Sequence, residues 1–154
     1  MKKYELTTDT KFIFGKKYFR IRALVDFGNV SKGDLGGYIE SENNLSNDTK
    51  YGNAWIGGNA RVGGDARVDG NARVDGEAYV DSNDCYTTIR GFGTEFRNTT
   101  FFRCEDDKIR VQCGCFYGDI DEFRKQVKRT RTGKIAKEYL MIADLMEYHF
   151  GEEK

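Results

Sequence analysis

Proline is missing altogether, and only one histidine, one tryptophan and four cysteines occur in 154 residues. Without proline, turns must be made by residues that tolerate unusual φ, and eighteen glycines are available for that. Hydrophobic residues make up only 38% of the chain and the mean hydropathy is −0.69. The expected core is therefore thin, which disfavours a compact α/β enzyme. No run approaches the roughly 18 apolar residues of a membrane span; the best, Tyr139 to Met146, is broken by Asp144. Behind the basic start Met1-Lys2-Lys3-Tyr4-Glu5 no apolar segment follows, which argues against a signal peptide. Four cysteines without secretory features imply reduced thiols, so a cytoplasmic protein without a membrane partner is expected. Net charge is zero but uneven: residues 1–25 carry +5 and residues 26–85 carry −6. Whole-chain attraction to nucleic acid is therefore not expected, and local basic patches remain as candidates.

What is present is a repeat. Residues 52–81 read GNAWIG, GNARVG, GDARVD, GNARVD and GEAYVD, five tandem hexapeptides with Ala third and Ile or Val fifth. Such a period takes precedence over local propensity. A short strand between tight turns places Ala and Val inward and the residue between them outward. Gly-Asn and Gly-Asp fit the corners, because both tolerate the left-handed region. The pattern predicts a parallel β-helix.

The run Val62-Gly63-Gly64-Asp65-Ala66-Arg67 resembles the hexapeptide-repeat left-handed β-helix, in which three hexads make one coil and residues 18 apart stack. That resemblance implies Trp55 against Arg73 and Arg61 against Tyr79, with Arg67 on the third side. Both aromatic–Arg pairs would then form cation–π contacts on a flat face that serves an oligomer or a partner. Gly37 to Ser41 and Asn44-Leu45-Ser46 read as degenerate hexads, so the helix is expected over 19–85, capped by a β-hairpin over 1–18. Residues 86–154 form the remaining unit. There, Thr99–Cys104 pairs with Lys108–Cys113, a helix capped by Asp119 or Asp121 runs to Lys128, and a second runs from about Ile135 to Phe150. The expected class is mainly β: a short left-handed parallel β-helix with an N-terminal β cap and a C-terminal β-hairpin plus two-helix α+β module.

Longer runs extend the resemblance. Ile21 to Gly28, Gly33 to Glu40 and Asn44-Leu45-Ser46 are similar to hexapeptide-repeat proteins of uncharacterised function encoded by phages and prophages. So are Thr99 to Cys104, Val111 to Phe116, Ala136 to Leu140 and His149-Phe150. Where tails of that type tend to read Thr-His-Gly-Asp, this chain has Thr130-Arg131-Thr132-Gly133. The resemblance implies a phage source and the cytoplasm of an infected bacterium.

Many hexapeptide β-helix proteins are acyltransferases with a general-base histidine on the coils. Here the single imidazole, His149, lies near the end of the last helix, so no coil position supplies that base. No catalytic residue and no cofactor are expected. Cys104, Cys113 and Cys115 could meet on one hairpin and hold zinc, although Cys-x-Cys is not the usual spacing and small buried thiols are commoner. Arg124, Lys125, Lys128, Arg129, Arg131 and Lys134 put six cations into eleven residues without an acid. They read either as a solvated helix face or as a surface for a partner or an anion. These readings converge on a non-catalytic phage accessory protein that acts by binding, as a homo-oligomer. Its expected role is to inhibit a host defence system, by blocking a nucleic-acid-guided nuclease or by sequestering a nucleotide signal. Its partner is thus a host protein, a protein–nucleic-acid complex or a nucleotide. A virion component and an atypical acyltransferase are the alternatives.

Overall fold

In a computed structural model, which describes residues 2–50, 52–95, 97–114 and 116–151, the chain starts with two long antiparallel strands, β1 (Tyr4–Ile13) and β2 (Lys16–Ala23). Then β3 (Leu35–Ile39) pairs antiparallel with β2. The hexads follow as two-residue strands: β4 (Trp55–Ile56), β5 (Arg61–Val62), β6 (Arg73–Val74) and β7 (Tyr79–Val80). Strand β5 lies parallel between β3 and β7, and β4 pairs parallel with β6. On a further side Leu45 bridges Val68 in parallel. Residues 18 apart do stack, with Trp55 opposite Arg73 and Arg61 opposite Tyr79.

The fold class nevertheless differs from the expectation. The chain is 41% strand and 24% helix, in several antiparallel and mixed sheets, and is not a single parallel left-handed β-helix. The reason lies in strand length. Four of the five hexads contribute a two-residue strand and the third only the Val68 bridge, whereas the flanks supply strands of up to ten residues. The second and fifth hexads therefore extend the edge of an antiparallel sheet, in the order β1-β2-β3-β5-β7, while β4 and β6 form a separate pair.

Inside the hexads Ala54, Ala60, Ala66, Ala72 and Ala78 are at most 1% exposed, and Ile56, Val62, Val68, Val74 and Val80 are wholly buried. The corners need glycine. At Gly64, where φ is +56°, a Cβ would lie 2.2 Å from the carbonyl oxygen of Asp81 in the turn stacked against it. Lys3 closes the first turn from within. Its side chain is fully buried, Nζ donates to the Ala54 carbonyl at 2.5 Å and lies 4.9 Å from the centre of the Phe27 ring.

After the repeat come β8 (Tyr86–Phe92), β9 (Arg97–Arg103), β10 (Ile109–Cys113) and β11 (Phe116–Asp119), an antiparallel sheet in the order β11-β10-β9-β8. Helices α1 (Ile120–Thr130) and α2 (Gly133–Phe150) pack on one of its faces. Alternation along β9 joins the two cores, because Phe102 packs with the hexad valines and Phe101 with Phe123, Tyr139 and Met146. Helix α1 begins at a capping box, in which the Glu122 amide donates to Asp119 at 2.7 Å and the Asp119 amide to Glu122 at 3.1 Å. Among the described residues no helix is long and apolar enough to cross a membrane.

Candidate functional site

The six cations of the α1 region do not converge. Arg124 turns inward as a clamp between the helices, donating to Asp121 at 3.0 Å, Asp144 at 2.8 Å and Glu147 at 2.8 Å. Those carboxylates, Glu147 foremost, hold its guanidinium proton even more tightly than usual. Lys125, Lys128, Arg129 and Lys134 are exposed, with Arg129 bonded to Gln126. Arg131, which follows the last turn of α1, is half-buried at the rim of a cleft of about 340 Å³ floored by Phe116, Phe123 and Tyr139. One cation is a structural clamp, four are solvated and one edges an aromatic cleft. They make no single anion surface.

The face expected to carry an oligomer contact also differs. Trp55 is 3% exposed and lies edge-on to Phe27 at 5.4 Å, because the turn from Phe27 to Val30 folds over it. Its partner in register, Arg73, gives its guanidinium to Asp75 at 3.2 Å. Arg61 does sit over the Tyr79 ring, 4.9 Å from its centre, and also bonds Glu105 at 2.6 Å, tying the hexads to the β9–β10 turn. Arg61, and Arg73 through its amide to Thr100 Oγ1 at 3.1 Å, tie the hexads to the C-terminal sheet, and Trp55 is buried rather than offered to a partner.

The proposed zinc set fails on register. Arg103 pairs with Ile109, which puts Cys104 at the turn end of the hairpin, while Cys113 pairs with Thr99 at its far end. Roughly 3.3 Å per residue separates the two thiols by well over 10 Å. Cys115 lies outside the described residues, and among those described no cluster of three metal-binding side chains occurs. Burial pushes the Cys104 thiol up to about 11, as expected of a packing residue. His149 is exposed on α2 beside Phe150.

The most unusual surface lies at the tip of the β1–β2 hairpin. Phe14 and Gly15 both have positive φ, 51° and 80°, between the paired Ile13 and Lys16. That is the arrangement of a type I′ turn, which favours Asn-Gly. A phenylalanine there costs roughly 1–2 kcal/mol of backbone strain. It is also 89% exposed, and Phe12 beside it is 71% exposed. Lysines surround the pair. Lys17 Nζ lies 6.0 Å from the Phe12 ring centre and 5.2 Å from that of Phe19, and Lys11 Nζ lies 4.4 Å from that of Tyr38. Lys16 is exposed at the turn. Sequence reading located this hairpin but gave it only a capping role. The signal was Phe-Gly in the turn, where polar residues are the rule.

No protein-family model matches the chain, and no curated protein matches it in sequence.

Proposed function

We propose that this chain is a non-catalytic protein that acts by binding another protein, with the hairpin tip around Phe12 and Phe14 as its principal contact. One observation carries the reading: Phe14 bears both backbone strain and near-complete exposure. Neither helps the isolated chain fold, and strain of this kind concentrates where a surface meets a ligand. Burying an exposed phenylalanine contributes about 1.5–3 kcal/mol, so two of them supply a usable anchor. Lys11, Lys16 and Lys17 call for carboxylates around the receiving pocket and speed the encounter. The partner surface is thus an apolar pocket with an acidic rim.

In the infected bacterial cytoplasm that the phage resemblance implies, such a protein inhibits a host defence component by occupying it. The blocking version of that role is favoured over sequestration of a nucleotide here, because the contact is apolar and protruding. The test is affinity capture from bacterial lysate with the wild type, Phe14→Asn and Phe12→Ala, followed by an activity assay of the captured protein. A partner retained by the wild type and lost from both variants is expected. Capture that is the same for all three would overturn the reading.

A further inference from the structure

We infer that the cleft between the Asn53–Asn71 corner of the hexads and the end of the C-terminal sheet binds a phosphorylated, hydroxyl-rich small molecule of the sugar-phosphate type. The cleft holds about 400 Å³, within the range of small-ligand sites, and among the described residues it is lined by three arginines, five side-chain amides and two glycines, with no acid. On a chain with equal numbers of acids and bases, that selection of one sign marks an anion site.

The polar groups are fixed by contacts within the protein, and their free ends differ. The Asn53 amide N–H donates to Asn71 Oδ1 at 3.1 Å, which leaves the Asn71 NH₂ as a donor. Asn98 Nδ2 donates to the Asn71 carbonyl at 3.0 Å and to Thr100 Oγ1 at 3.2 Å, which leaves its own Oδ1 as an acceptor. Donors and acceptors side by side suit hydroxyl groups. The arginines are unequal. Arg73 is paired with Asp75 and Arg97 with Glu95, whereas Arg90 has no ion pair among the described residues. Arg97 reaches the cleft across Gly114, where a Cβ would lie 2.7 Å from its Nη1. A phosphate therefore sits against Arg90, with Arg97 beside it. Among the described residues no aromatic side chain lines the cleft, and the part that these polar groups recognise is the phosphate with its hydroxylated carrier. That carrier is either a free sugar phosphate or the ribose phosphate of a nucleotide. The site shares no residue with the hairpin tip and stands or falls separately.

Calorimetric titration of the full chain at low salt separates these sources, using ribose 5-phosphate, AMP, inorganic phosphate and adenosine as probes. Ribose 5-phosphate and AMP should bind saturably and inorganic phosphate about tenfold more weakly or worse, while adenosine should not bind. Equal affinity for the first two supports a free sugar phosphate, and a strong preference for AMP supports a nucleotide. Arg90→Ala, at an exposed position, should weaken ribose 5-phosphate about tenfold without changing thermal unfolding. Asn71→Ala should erase the advantage of ribose 5-phosphate over inorganic phosphate. The inference is overturned if ribose 5-phosphate does not saturate, if inorganic phosphate binds equally well, if adenosine matches AMP, or if Arg90→Ala binds like the wild type.

Discussion

Replacing Lys3 by methionine should remove a pH dependence that the wild type carries. Burial, partly opposed by Asp48, lowers the Lys3 ammonium from its ordinary value to about 8. In the unfolded chain a lysine holds its proton to about 10.4. Between those values the unfolded state binds the proton and the folded state does not, so stability rises with pH. The cost of burying the charge is fully present below pH 8 and is relieved as pH climbs towards 10.5. From pH 7.5 to 9.5 the gain is at most about 2 kcal/mol, since solvent relaxation around the ammonium reduces it. Lys3→Met keeps the apolar stem and loses both the charge and the donor to Ala54. Its absolute stability shifts by two opposing effects, but over this window it should lack the rise that Lys3 gives the wild type, while the buried Cys104 thiol lowers both profiles alike as pH climbs. Urea unfolding followed by Trp55 fluorescence at pH 7.5, 8.5 and 9.5 measures both slopes. Parallel profiles for the two proteins would refute the reasoning.

Four more outcomes follow from the same contacts. Phe14→Asn should raise stability by about 1 kcal/mol in urea unfolding, since Asn-Gly suits a turn with two positive φ angles, while partner binding is lost. Gly64→Ala should cost about 2–4 kcal/mol, because it adds left-handed strain to a clash with the Asp81 carbonyl, and a lower urea midpoint reports it. Arg124→Met should cost about 1 kcal/mol, reduced further by salt, since the three carboxylates that it clamps are mostly solvated; unfolding at two ionic strengths checks this. Above pH 10 the wild type should lose stability. Burial holds Tyr4, Tyr86 and Tyr117 protonated up to about 12, so there the folded state binds more protons than the unfolded one. Unfolding midpoints at pH 9.5 and 11 show the decline.

Much of the local structure was legible because it repeats or alternates. The inward Ala and Val follow from spacing along the chain, the 18-residue stacking of Arg61 on Tyr79 from the resemblance, and a helix cap at Asp119 or Asp121 from residue type, of which the structure uses Asp119. What was missed depends on contacts between distant segments. Gly37 to Ser41 reads as a degenerate hexad, and nothing there announces that the same strand also pairs antiparallel with β2, a junction that changed the fold class. Trp55 reads as an outward residue, and the Phe27–Val30 turn together with Gly36 of β3 buries it. Arg124 looked like one cation among six until α2 brought Asp144 and Glu147 against it. The strand Tyr86–Phe92 has no clear period of burial and was not recognised. Cys104 and Cys113 looked adjacent because a hairpin joins them, yet register puts them at opposite ends.

The most direct measurement is site-specific photo-crosslinking in living bacteria, with a benzophenone side chain placed at position 14 and, separately, at the exposed Lys125 of α1. A discrete adduct with one cellular protein from position 14, and none from position 125, is the expected result. Adducts from position 125 alone would move the contact to the basic helix and contradict the assignment of the hairpin tip.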